Sequence, residues 1–222
     1  MTIHLHRDLD LLRRELLAMG ALVEEATNKA INALIRRDRD MAREVLESDA
    51  TIDLKEIEVE EDCLKLLALH QPVAVDLRYI ITCLKVNNDL ERMGDLAVNI
   101  AERADYLARH PPLTLPADLR EMADGTRAMV RDSLDALVRQ DPALARDILE
   151  RDDAIDEHNR LMFDQMVSTM MNDPDMVKRA IAFLSSSRAL ERIADHATNV
   201  AEEVIFMCEG EIIRHRAERL NE

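Results

Sequence analysis

A stretch of 13 residues occurs twice in this chain, 100 positions apart: Leu90-Glu91-Arg92-Met93-Gly94-Asp95-Leu96-Ala97-Val98-Asn99-Ile100-Ala101-Glu102 and Leu190-Glu191-Arg192-Ile193-Ala194-Asp195-His196-Ala197-Thr198-Asn199-Val200-Ala201-Glu202. Eight of the 13 positions are identical. Upstream, residues 46–53 match residues 149–156 at a shift of 103, so a small indel separates two elements of the repeat. A chain that uses one unit twice folds as two copies of that unit, which narrows the available architectures more than any single motif could.

The unit is helical. Gly and Pro number only four and six in 222 residues, and the breaks they make are correspondingly clear: His70-Gln71-Pro72, Pro111-Pro112 through Pro116, Asp141-Pro142 and Asn172-Asp173-Pro174. With the polar break Arg36-Arg37-Asp38 they predict six helices over roughly 5–37, 39–69, 72–109, 117–140, 142–171 and 174–208. No Trp, two Tyr and three Phe leave an aliphatic core of Leu, Ala, Ile, Val and Met, which suits helices and not sheets. The expected fold is all-α: two tandem three-helix bundles, six long helices, related by internal duplication, with short connections that make neighbours antiparallel. The units are expected at 1–110 and 117–222, with 111–116 as a stiff proline-rich linker.

Four pairs of acids stand four residues apart: Asp49/Asp53, Glu91/Asp95, Asp152/Asp156 and Glu191/Asp195. Like charges at that spacing share a helix face and destabilise it by roughly 0.2–0.5 kcal/mol per pair. On the third helix, Val86, Leu90, Met93, Ala97, Ile100, Ala104 and Leu107 form the apolar seam. Glu91, Asp95, Asn99 and Glu102 fall within a stripe of about 80° away from it. The sixth helix repeats both patterns.

Hairpin register brings the pairs together. Asp53 with Glu91, and Asp49 with Asp95, share the midpoint 72, where the Gln71-Pro72 break lies. Asp156 with Glu191, and Asp152 with Asp195, share 173.5, at Asn172-Asp173-Pro174. Each antiparallel hairpin therefore sets four carboxylates level, about 30 Å from its turn at ~1.5 Å per residue. An all-carboxylate set suits a hard cation such as magnesium, calcium, manganese or iron better than a structural zinc site. The alternative is four solvated acids neutralised by neighbours such as Arg92 and Arg192.

Other features read more plainly. A net charge of -16 argues against nucleic acid and against adsorption to anionic lipid. No membrane span or signal peptide is predicted, so a cytoplasmic protein is expected. Cys63, Cys83 and Cys208 lack CxxC spacing and fit reduced core thiols. The basic pairs Arg13-Arg14 and Arg36-Arg37 read as solvated helix faces, His196 as incidental to the acids beside it, and the Met162 to Met171 group as core filler.

The repeated Leu-Glu-Arg-x-x-Asp stretches, together with Gln71-Pro72-Val73-Ala74-Val75-Asp76-Leu77-Arg78, resemble the PhoU family of bacterial phosphate-signalling proteins, over nearly the whole chain from His4 to Glu211. The resemblance implies a non-enzymatic cytoplasmic protein, commonly a homodimer. It implies negative regulation of phosphate uptake and of the phosphate-starvation regulon, by linking the ATPase subunit of the phosphate ABC transporter to the PAS region of the sensor histidine kinase. Membrane association would run only through those partners.

Family members carry multinuclear iron or zinc on paired acidic motifs. Transferred here, the metal ligands would be Asp49, Asp53, Glu91 and Asp95, and Asp152, Asp156, Glu191 and Asp195, with magnesium or manganese as alternatives. The second repeat departs from the first in having Ala194 for Gly94 and Arg188 for Asn88, an internal cation beside its acids. The competing readings are a carboxylate-bridged metal enzyme, whose usual Glu-x-x-His motif is missing, and a metal-binding helical scaffold.

Overall fold

The computed structural model describes residues 2–213. Its elements are α1 (Thr2–Arg36), α2 (Arg39–His70), α3 (Ala74–Ala108), α4 (Ala117–Arg139), α5 (Pro142–Asn172), a 3-10 turn (Pro174–Met176) and α6 (Val177–Glu209), with no strand among the described residues. α1–α3 form one three-helix bundle and α4–α6 the other; α3 packs on α6 and α1 on α4 to join them.

The first turn of each bundle is built the same way twice. Arg37 (φ 58) and Gln140 (φ 52) end α1 and α4 in the left-handed region, a common helix stop. Asp38 N–H then reaches back to the Ala33 carbonyl and Asp141 N–H to that of Ala136, each at 3.0 Å. The Asp38 carboxylate accepts from the backbone N–H groups of Asp40 and Met41, and Asp141 from Ala143 and Leu144, so each turn also starts the next helix.

The second turns differ from expectation by a few residues. After left-handed Gln71 (φ 46), Pro72 has no N–H and Val73 is extended, so α3 starts at Ala74 and not at 72. In the second half Asp173 caps a 3-10 turn, and the α-helix proper begins at Val177, not at 174.

Apolar periodicity sets the core. Val86, Leu90, Met93, Ala97, Ile100, Ala104 and Leu107 are all buried, as are Leu190, Ile193, Ala197, Val200, Val204 and Met207. The two halves meet at small residues: a Cβ added to Gly20 of α1 would lie 2.7 Å from Leu134 Cδ2 of α4.

One member of each basic pair has a structural task. Arg37 donates to the carbonyls of Leu107 (2.6 Å) and His110, closing the end of α3, and Arg13 donates to the carbonyl of Val138 near the end of α4. The last carbonyls of a helix lack partners within it, and a guanidinium arriving from a neighbouring helix supplies them. The solvated-face reading fails for these two residues.

Candidate functional site: two carboxylate tetrads

The hairpins bring the acids together as their register requires. Asp49 and Asp53 of α2 lie close enough to Asp95 and Glu91 of α3 to feel their charge, as do Asp152 and Asp156 of α5 and Asp195 and Glu191 of α6. The two tetrads share one burial pattern: Asp53 and Asp156 are exposed, and the other six are half-buried. Charge therefore collects beside the core, where water screens it least.

The fold holds these groups against their own repulsion. Burial, then the charges of Asp53 and Asp95, push the Asp49 carboxyl up; burial, then Asp95, push Glu91 up, with Arg92 opposing. The effect is stronger in the second tetrad. Asp152 is pushed up to about 6, first by burial and then by Asp195, Asp156, Asp153 and Glu191. Glu191 and Asp195 are also raised, by burial first and then by acidic neighbours, although Arg188 and Arg192 offset part of this at Glu191 and His196 and Arg192 at Asp195.

Two clamps fix the height at which each hairpin brings its acids level. One helical turn from the first tetrad, buried Asn87 donates to the Glu56 carbonyl at 2.9 Å. Its equivalent is Ser187, whose hydroxyl donates to Asn159 Oδ1 at 2.6 Å, and position 159 is the counterpart of 56. Helix separation is set by small residues: a Cβ on Gly94 would lie 3.2 Å from Ile52 Cγ2, and one on Gly125 only 2.6 Å from Ile155 Cδ1.

The clearest sign that these groups suit a cation is an orphan. Asp49 Oδ1 and its equivalent, Asp152 Oδ1, are both buried with no hydrogen-bond partner. An unpaired buried carboxylate oxygen is costly, and the same one recurs in both copies. Protein cations offset the charge only in part: Arg92 Nε stands 3.6 Å from Glu91 Oε2 with its side chain largely in water. The all-oxygen donor set fits a hard cation. Among the described residues, no three acidic, imidazole or thiol side chains form a ready-made coordination shell, so a bound ion would have to draw these rotamers inward.

The PhoU domain pattern matches residues 16–104 and 119–204. That is most of the chain, once per bundle. The chain belongs to the PhoU family. It is 42% identical over 212 residues to the "Phosphate-specific transport system accessory protein PhoU homolog" of Aquifex aeolicus, covering 96% of each protein. To that of Pseudomonas putida it is 41% identical, covering 94% of this chain and 82% of the relative. Its fold superposes on the crystal structure of PhoU from Pseudomonas aeruginosa with a TM-score of 0.91, at 38% identity over 93% of this chain and 99% of that one. For the PhoU of Streptococcus pneumoniae, a phosphate transport system regulatory protein, the TM-score is 0.87 at 29% identity, covering 94% and 99%.

Within this PhoU fold, one polar cluster escaped the sequence reading. His196 Nδ1 lies 2.9 Å from Asp89 Oδ1, and Asn199 Nδ2 donates to the same oxygen at 3.2 Å, joining α6 to α3 across the junction between bundles. Asp89 is buried. His196 is thus a structural partner of Asp89, neither incidental nor a member of the acidic group. The signal was present: Asp89 has Ala189 as its repeat mate and His196 has Leu96, a matched polar pair in one copy and an apolar pair in the other.

Two of the three thiols are core groups that offer little chemistry, while Cys208 is only part-buried. Burial pushes Cys63 and Cys83 up to about 12, leaving them protonated at neutral pH. Among the described residues, no helix is long and apolar enough to cross a membrane.

Proposed function

We propose that this chain is a non-enzymatic negative regulator of phosphate uptake and of the phosphate-starvation regulon, an adaptor between the ATPase subunit of a phosphate ABC transporter and the PAS region of a sensor histidine kinase. One observation carries the reading: similarity to proteins named as phosphate-specific transport system accessory proteins runs nearly end to end, at 42% identity over 96% of both chains. The protein acts in the cytoplasm as a homodimer and reaches the membrane only through its partners. Its output is contact, so the bundles serve to hold two surfaces in a fixed relation.

The tetrads serve that purpose as metal sites. Asp49, Asp53, Glu91 and Asp95, and Asp152, Asp156, Glu191 and Asp195, would hold iron or zinc as a multinuclear group, with magnesium or manganese as alternatives. When bound, the metal supplies the countercharge that four carboxylates lack. The buried Asp49 and Asp152 oxygens support this, since each has a lone pair with no partner in the protein. Each set draws its carboxylates from both helices of its hairpin, α2 with α3 and α5 with α6, so occupancy would stiffen each hairpin.

The test is genetic. Deleting the gene should leave phosphate-responsive transcription switched on in rich phosphate, and this chain supplied in trans should shut it off again. Normal shut-off in the deletion strain would end the regulatory reading.

A further inference from the structure

The duplication supplies an internal control for surface features. α3 and α6 pack antiparallel, as the pairs Asp89–His196 and Lys85–Glu203 require, so each groove at one end of their seam has a mate at the other end, 100 positions away. The two ends differ. At one end Lys85 Nζ meets Glu203 Oε1 at 3.1 Å and lies 5.3 Å from the Phe206 ring. Ile212 and Ile213, just beyond α6, line this groove, and the space left is about 20 Å³.

At the other end the counterparts of Lys85, Glu203 and Phe206 are Ser185, Arg103 and Tyr106. The cavity there is about 430 Å³, bounded also by Lys178 and Ile181. Exchanging Glu203 for Arg103 and Lys85 for Ser185 removes the carboxylate and leaves a cation. Arg103 leans on Glu102 of its own helix at 3.3 Å, while its Nε is buried without a partner. Ser185 also lines a second, neighbouring cavity of about 210 Å³, which is bounded by Arg188 and Arg192. No acid lines either cavity, in a chain with 45 acidic and 29 basic residues.

We propose that this open groove binds an extended acidic and aliphatic peptide segment of a partner protein. Its carboxylate pairs with Arg103 and Lys178, and its aliphatic side chains lie on Tyr106 and Ile181. The occupant follows from the mate, where the chain itself supplies both parts: Glu203 as the carboxylate and Ile212-Ile213 as the aliphatic filling. A charge-assisted guanidinium pair beside an apolar floor gives both orientation and affinity. The proposal stands independently of the role in phosphate control.

Fluorescence anisotropy of a labelled peptide, acetyl-Glu-Glu-Ile-Ile-Glu-amide, titrated with the full chain tests it. Wild type should bind saturably, and more weakly as salt rises. The peptide with Gln for each Glu should bind at least about tenfold more weakly. Arg103→Glu with Ser185→Lys copies the mate's ion pair into the groove and should lower affinity at least about tenfold with the melting temperature retained. Should that pair misfold by circular dichroism, Lys178→Glu, at an exposed position, decides alone and should also weaken binding. Equal binding of both peptides, undiminished binding by the deciding variant, or no saturation by wild type up to about 1 mM would overturn the proposal. So would inorganic phosphate displacing the peptide at equal concentration, which would mark a simple anion site.

Discussion

Replacing Asp152 with asparagine asks whether the tetrads are held against their own repulsion. Its carboxyl is pushed from 3.8 up to about 6 by burial and then by four acidic neighbours. A raised carboxyl pKa means that the fold prefers the neutral form. The stability this group contributes is therefore complete below about pH 4 and is lost as the pH rises through about 6. At 1.36 kcal/mol per unit, the displacement costs on the order of 2–3 kcal/mol at pH 7.5 and roughly half that at pH 5. Asparagine keeps the shape, removes the charge and can donate to the facing carboxylates. Asp152→Asn should stabilise the metal-free protein by about 2 kcal/mol at pH 7.5 and by about 1 kcal/mol at pH 5. Urea denaturation of chelator-treated protein at both pH values measures the two figures. A variant less stable than wild type at pH 7.5, or a gain that does not shrink at pH 5, would refute the reasoning.

Glu91→Ala with Asp95→Ala should lower metal content at the first site while the helical circular dichroism persists; unchanged stoichiometry by elemental analysis would leave only neutralised acids there. His196→Leu should cost about 2–4 kcal/mol, because it leaves Asp89 buried beside Asn199 alone. Adding Asp89→Ala copies the Leu96/Ala189 pair of the other end and should recover at least about 1 kcal/mol, read from a double-mutant cycle in urea. Gly94→Leu should lose about 1–3 kcal/mol, since even a Cβ there meets Ile52 at 3.2 Å; a neutral melt would mean that α2 moves away freely.

The six helices and both tetrads were legible because their signals are local. Scarce Gly and Pro mark the breaks, periodicity marks the seam, and the length of chain on either side of a turn fixes which acids meet. Helix starts moved by two or three residues where turn geometry intervened, as at left-handed Gln71 and at the 3-10 turn before Val177. Arg13 and Arg37 look like any surface arginines in the sequence. Their tasks depend on carbonyls 125 and 70 residues away, which no window along the chain contains. The Asp89–His196 pair, 107 residues apart, shows only when the two copies are laid side by side.

The duplication also separates what the unit needs from what the whole protein needs. Both copies keep the tetrad, its clamp and the α1–α2 type turn, so these belong to the three-helix unit itself. The departures along the α3–α6 seam are coupled: Asp89 gains His196 and Lys85 gains Glu203, so the polar changes at one end satisfy each other. At the opposite end Ala189 meets Leu96, and Arg103 is left facing Ser185. Two identical bundles would present the same surface twice and could not tell one partner from another. A seam closed at one end and open and cationic at the other breaks that equivalence, and the adaptor role proposed above would require such a break to tell two partners apart.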